Sequence, residues 1–115
     1  MNFEKLEVWK RSARLSADIY IHTKQIKDYG FRDQLTRSGL SVPSNIAEGM
    51  SRDSNKEKKR FLDIARSSLS EARTQIYIGI EIKFINKEQG EHWLQETREL
   101  SAMLNSLKNK LSGND

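Results

Sequence analysis

Val42-Pro43-Ser44-Asn45-Ile46-Ala47-Glu48-Gly49 is the stretch on which the fold turns. A proline inside a helix removes one backbone hydrogen bond and crowds the preceding turn, at a cost of about 3 kcal/mol. Two structures are open to it. The chain breaks at Val42, with Ser41 capping a new helix that has Pro43 in its first turn. Alternatively, one kinked helix carries straight through. The apolar phase decides for the kinked helix, because Leu35, Gly39, Val42, Ile46 and Met50 recur at three- and four-residue steps on both sides of the proline. The helix is expected over about Arg32 to Met50, with Gly39 allowing a neighbour to approach and Gly49 marking the approach to its end.

Outward from this helix the pattern stays helical. Downstream, Ser51-Arg52-Asp53-Ser54 is a connector, and Ser54 with Glu57 three residues later has capping-box spacing. Leu62, Ala65, Leu69, Ala72, Ile76 and Ile80 then form one face, with Phe61, Ser68 and Gln75 beside it. The third helix fades near Phe84-Ile85-Asn86. A fourth runs from about Lys87 to Leu111 on a seam of Trp93, Thr97, Leu100, Leu104, Leu107 and Leu111. Upstream, a first helix over about Phe3 to Gln25 carries Leu6, Trp9, Ala13, Ala17 and Tyr20, widened by Leu15, Ile19 and Val8. Lys27-Asp28-Tyr29-Gly30 connects it to the second. Short connectors make neighbours antiparallel. The expected fold is therefore all-α: one antiparallel up-down-up-down four-helix bundle over residues 1–112, with a frayed tail at 113–115.

Composition narrows the function classes. The 115 residues suffice for one domain with one modest core. No cysteine is present, so there is neither a disulfide framework nor a thiolate metal site. No apolar run approaches the roughly 20 residues of a membrane span, and the N-terminus lacks the pattern of a secretion signal. The expected compartment is the cytoplasm. A net charge of +4 is a mild basic excess that suits either a polyanion partner or solubility.

Taken together, several motifs resemble one family. Phe3-Glu4-Lys5-Leu6-Glu7-Val8-Trp9 opens the chain, Gln34 and Arg37 begin the second helix, and the Val42 to Gly49 motif follows. Arg52 comes next, then Phe61-Leu62, Ile64-Ala65-Arg66, Ser68, Glu71 and Gln75. This set resembles the small four-helix bundle proteins encoded by intervening sequences of bacterial 23S ribosomal RNA genes, which are related to the accessory variability protein of diversity-generating retroelements. The resemblance covers almost the whole chain, with the fourth helix matching mainly in pattern. It implies ring-like homopentamers with a central channel, and the retroelement relative binds nucleic acid and a reverse transcriptase. Thr36 stands where the family often has an arginine, and Ser67 where it often has glycine.

Candidate site residues fall into two groups. Arg52, Lys56, Lys59 and Arg60 share much of one helical face, and Arg66 and Arg73 lie further along; such a set can neutralise phosphates. The opposing reading is a solvated helix start broken up by Asp53, Glu57 and Asp63. No aromatic is seen to interleave the patch, so base stacking is not expected. Arg37, Asn45, Glu48 and Arg66 form the second group, an expected polar network between helices in which Glu48 and Arg66 are candidate salt-bridge partners. His22 and His92 are in no metal-binding motif. No nucleophile with a base and no phosphate-cradling loop is present. The expectation is a non-enzymatic protein with no cofactor and no metal. Off-seam Ile78, Ile82 and Phe84, with Tyr20, Tyr29 and Tyr77, suit oligomer contacts. The leading function is a homo-oligomeric scaffold or adaptor that binds structured RNA or other nucleic acid through basic patches. The alternative is a protein–protein adaptor without nucleic acid.

Overall fold

A computed structural model describes residues 2–111; the expected tail at 113–115 lies outside the described residues. A short 3-10 turn, Phe3–Lys5, precedes four α-helices: α1 (Glu7–His22), α2 (Tyr29–Met50), α3 (Asn55–Glu81) and α4 (Lys87–Lys110). There is no strand among the described residues.

Local chemistry sets each boundary. The Asn2 side chain accepts the Glu4 N–H at 3.0 Å, and Leu6 is extended at ψ 128°, so the opening turn is separate from α1. The first helix is thus shorter than expected at both ends. At its C-terminus the Thr23 hydroxyl donates to the Ile19 carbonyl at 2.6 Å and the chain turns away. Helix α2 starts at Tyr29, ahead of the expected Arg32, because the Asp28 carboxylate accepts the Phe31 N–H at 3.0 Å and so caps the helix. Gly30, expected in the connector, lies inside the first turn. Helix α2 then passes through Pro43 without a break. At α3 the Ser54 hydroxyl accepts the Glu57 N–H at 3.1 Å, one half of the capping box its spacing predicts, while the Glu57 carboxylate turns to Arg60. The same helix ends in a left-handed Lys83 at φ 65°. There the Lys83 N–H donates to Ile80 and the Phe84 N–H to Gly79, a Schellman closure built without the usual glycine.

The helices form one ring of neighbours, α1–α2–α3–α4 and back to α1, and the α1–α4 seam has the fewest contacts. Cross-helix pairs show every neighbour to be antiparallel. Gly49 meets Phe61 while Ser38 meets Gln75. Lys108 meets Asp63 while Gly90 meets Ile80. Arg11 meets Glu96 and Glu99 while Asp18 meets Trp93. Trp9 shares a groove with Ala47, whereas Gly39 packs on Ser16 and Ile19. The rod measures 46 × 21 × 20 Å, close to the ~40 Å that the 27 residues of α3 span.

Most of the expected core is buried, including Leu35, Val42, Ile46, Leu62, Leu69, Ile76, Trp93, Leu100 and Leu104. The indole N–H of Trp93 donates to Asp18 at 2.8 Å, which satisfies its polar atom. Helix α1 differs from expectation. Its inner face is Val8, Ser12, Leu15, Ser16 and Ile19, whereas Ala17 and Tyr20 are exposed. Two small serines occupy interior positions, so a stripe traced through apolar residue types points the wrong way. The Ser12 hydroxyl is satisfied locally by the Trp9 carbonyl at 3.1 Å. Phe84 also departs from its expected role as a surface contact, being half-buried and edge-on to Phe31 with ring centroids 5.5 Å apart.

Candidate nucleic-acid interface

Helix α2 ends at Met50 and α3 starts at Asn55, so a four-residue turn brings Arg52 against the first turns of α3. Close packing fixes this corner. A Cβ built on Gly49 falls 2.7 Å from the Cβ of Phe61, so the two helices approach as closely as their backbones allow. The Phe61 ring is thereby held at the corner, half-buried. Two guanidinium groups lie over it, Arg60 at 4.5 Å and Arg52 at 4.8 Å from the ring centroid. The Lys58 ammonium donates to the Arg52 carbonyl and fastens the turn to α3.

Two carboxylates temper the charge. Glu48 pairs with Arg52 at 2.9 Å, and Glu57 accepts two hydrogen bonds from Arg60 at 3.1 Å. Glu57 is held below the usual carboxylate range, first by the Arg60 hydrogen bond and then by the nearby charges of Arg60, Arg52 and Lys56. Three cations of the expected patch therefore act on one point. Arg60 is raised in return, chiefly by that same bond. Lys56 is exposed and Lys59 half-buried on the same opening turns.

The remaining arginines are placed otherwise. Arg73 turns to α4, where its Nε donates to the Thr97 hydroxyl at 3.1 Å and its Nη2 to the Thr97 carbonyl at 3.2 Å. It thus helps hold two helices together, away from the corner. Arg66 lies beside Asp63 at 3.8 Å.

The expected polar network is rearranged. Glu48 pairs with Arg52 and not with Arg66, because a partner one helical turn away needs no interhelical alignment. Arg37 is exposed and makes no ion pair among the described residues. Only Asn45 works near the α2–α3 seam, donating to the Ser41 carbonyl and hydroxyl at 2.8 and 2.9 Å. Ser41 in turn shares a hydrogen bond with Ser68 at 2.9 Å. Further along the seam, the buried Ser38 hydroxyl donates to Gln75 Oε1 at 2.6 Å. These neutral pairs register the two helices. Ser68 and Gln75 flank the apolar face of α3 in the sequence; their partners on α2 emerge only once the helices are docked.

Phe61 is the residue that sequence reading missed as part of the basic surface. Its signal is positional, since Arg60 precedes it directly and Phe61 stands one turn beyond Lys58.

The sequence and structural comparisons converge on one assignment. The model of the 23S rRNA-intervening sequence protein family matches residues 4–106. The chain belongs to that family. In this family member the matched span includes the whole basic corner and the serine–glutamine seam. A solved 1.70 Å crystal structure has the same fold: a protein with unknown function from the S23 ribosomal protein family from Bacteroides thetaiotaomicron VPI-5482. It is 25% identical, with a TM-score of 0.82 over 88% of this chain and 97% of that chain. Among curated proteins, none matches this 23S rRNA-intervening sequence family member.

No helix among the described residues is long and apolar enough to cross a membrane. Among the same residues, no three His, Cys, Asp or Glu side chains gather as a metal-ligand set.

Proposed function

We propose that this protein is a non-enzymatic, cytoplasmic, homo-oligomeric scaffold that binds structured RNA through its basic end. One observation carries the reading: the guanidinium groups of Arg52 and Arg60 both lie over the one Phe61 ring, 4.8 and 4.5 Å from its centroid. Stacking limits the rotamer freedom of two long cations. Cations held in place lose less entropy on meeting a phosphate than freely moving ones do. Lys56, Lys58 and Lys59 add charge around them. A pentamer, which the family resemblance implies, repeats the corner five times, so contacts weak in one subunit gain from effective concentration.

The experiment is light scattering of nuclease-treated protein, with a structured RNA added across a salt titration. A mass near five subunits is expected, with RNA affinity falling steeply as salt rises. Charge reversal at Lys56, Lys59 and Arg60 together should weaken binding by at least tenfold and leave the mass unchanged. Equal binding at high salt after that reversal would overturn the mechanism.

A second reading has its own observation. Tyr20, Ile21, Tyr29, Tyr77, Ile78 and Ile82 are large, exposed and gathered toward the opposite end of the bundle. They favour a protein–protein adaptor that needs no nucleic acid. A single stoichiometric protein partner, retained after nuclease treatment, with no RNA bound at low salt, would select that reading.

A further inference from the structure

Arg66 is an arginine whose donors go unused. Its Nη1 stands 3.8 Å from the nearest Asp63 oxygen, beyond hydrogen-bond range. Its Nε is buried without a hydrogen-bond partner among the described residues. The other half-buried arginines are committed elsewhere. Arg11 donates to Glu96 and Glu99, Arg73 to Thr97, and Arg32 lies over Tyr29. Asp63 is itself taken by another cation, with the Lys108 ammonium of α4 reaching both its carboxylate oxygens at 2.9 and 3.0 Å. The buried Nε faces protein, which leaves the accessible Nη groups as the donors open to a ligand.

The guanidinium borders a depression of about 270 Å³ between α3 and α4, lined by Asp63, Arg66, Ser67, Ser70 and Ser101. Ser67 and Ser70 open it to solvent. None of its three hydroxyls is hydrogen-bonded within the chain among the described residues. By contrast, the hydroxyls of Ser12, Ser38, Ser41 and Ser68 all bond internally. One guanidinium and three free hydroxyls, beside a carboxylate already neutralised by a lysine, make a site rich in donors. The group that fits it is all acceptor, anionic and many-sided, which describes a phosphate.

Its position matters as well. Lys59, Asp63, Arg66 and Ser70 follow one another along a single stripe of α3. Seven residues from Lys59 to Arg66 are about 10 Å along the helix. The depression therefore continues the basic corner toward the middle of the rod.

We propose that Arg66, with the hydroxyls of Ser67, Ser70 and Ser101, receives one backbone phosphate of the bound RNA. This inference rests on the RNA reading above and adds a defined contact to it. Free inorganic phosphate has the same chemistry, and the test separates the two sources.

The test uses the full chain, the double variant Ser70→Ala with Ser101→Ala, and Arg66→Gln. Both serines lie outside the core, so circular dichroism should show an unchanged helix content in the double variant. Inorganic phosphate is titrated into ¹⁵N-labelled protein while the Arg66 Nε–H resonance is followed. Structured RNA is titrated separately across a range of salt. The resonance is expected to shift in the wild type and stay still in the double variant. RNA affinity should fall about tenfold in the double variant with an unchanged salt slope, since no charge is lost. Arg66→Gln should weaken binding further and lower the slope by about one. Loss of the phosphate response without loss of RNA affinity would assign the site to free phosphate and overturn the backbone contact. RNA binding by the wild type that neither variant changes, with no phosphate response, overturns the site and leaves the scaffold reading intact. Absence of RNA binding by the wild type at low salt overturns both.

Discussion

At the scale of single residues, the corner depends on what Gly49 lacks. Any side chain there meets the Cβ of Phe61 at 2.7 Å and the Lys58 carbonyl at 3.4 Å. Neither is the movable end of a flexible side chain, so α2 and α3 must separate to admit a methyl group. Gly49→Ala is expected to destabilise the fold by about 1–3 kcal/mol despite the better helix propensity of alanine. Urea unfolding monitored by circular dichroism measures this, and an unchanged midpoint would sink the close-approach argument. Sequence spacing alone suggested only that Gly49 lay near a helix end. What was legible at this scale was local. The Ser54 cap can be read from four consecutive residues, because its donor and acceptor are separated by covalent geometry alone. The Glu48–Arg66 pair could not be decided that way. It required the relative rotation of two helices, and the nearer Arg52 won.

Among the elements, α1 shows where periodicity fails. Apolar type marks Trp9, Ala13, Ala17 and Tyr20 as a stripe, yet Ser12 and Ser16 lie inside and Ala17 and Tyr20 outside. Serine is small enough for the interior, and Ser12 also bonds its own helix; residue type does not reveal which serines face inward. Helices α2 and α3 were more legible because Leu35, Val42 and Ile46 on one, and Leu62, Leu69 and Ile76 on the other, recur at helical steps and are all buried, with the small residues between them in phase. The α1–α4 seam, with the fewest contacts, relies on polar clamps. Arg11 donates to Glu96 at 2.9 and 2.6 Å and to Glu99 at 2.6 Å. Glu99 is held below the ordinary carboxylate range, first by the Arg11 hydrogen bond and next by that from Gln95. A carboxyl depressed in the folded state stabilises the fold fully above its unfolded pKa of about 4.3. That contribution fades as pH falls through the lower folded value. Glu99→Gln should therefore be less stable than the wild type at pH 7, and the gap should close below about pH 4. Paired urea titrations at pH 7 and pH 3 test this; a gap of equal size at both would refute the clamp as its source.

Across the whole molecule, two kinds of surface sit at opposite ends. The α2–α3 turn and the neighbouring termini of α1 and α4 carry Lys5, Lys10, Arg52, Lys56, Lys58, Lys59, Arg60 and Lys110 against Glu4, Glu7, Glu48, Asp53 and Glu57, a net excess of three positive charges. Among the described residues, six of the seven exposed large hydrophobics lie toward the other end. If the apolar end makes the subunit contacts, Ile78→Ser with Ile82→Ser should lower the light-scattering mass toward a single chain while helix content stays constant. An unchanged mass would place the contacts elsewhere. The all-α architecture was legible here because four long amphipathic segments with short connectors leave few ways to bury four faces. The segregation of the two surfaces was not legible, because it depends on which termini meet once the helices alternate in direction.

This lopsided charge has a kinetic consequence. In an antiparallel bundle the backbone dipoles of neighbouring helices oppose one another, whereas a side-chain excess at one end of a 46 Å rod does not cancel. The molecule thus behaves as an electric needle. Near a polyanion it experiences a torque before it experiences contact, out to about a Debye length, roughly 8 Å at physiological salt and 30 Å at 0.01 M. Encounters would then begin basic end first, and dilution of the buffer would quicken capture more than it slows release.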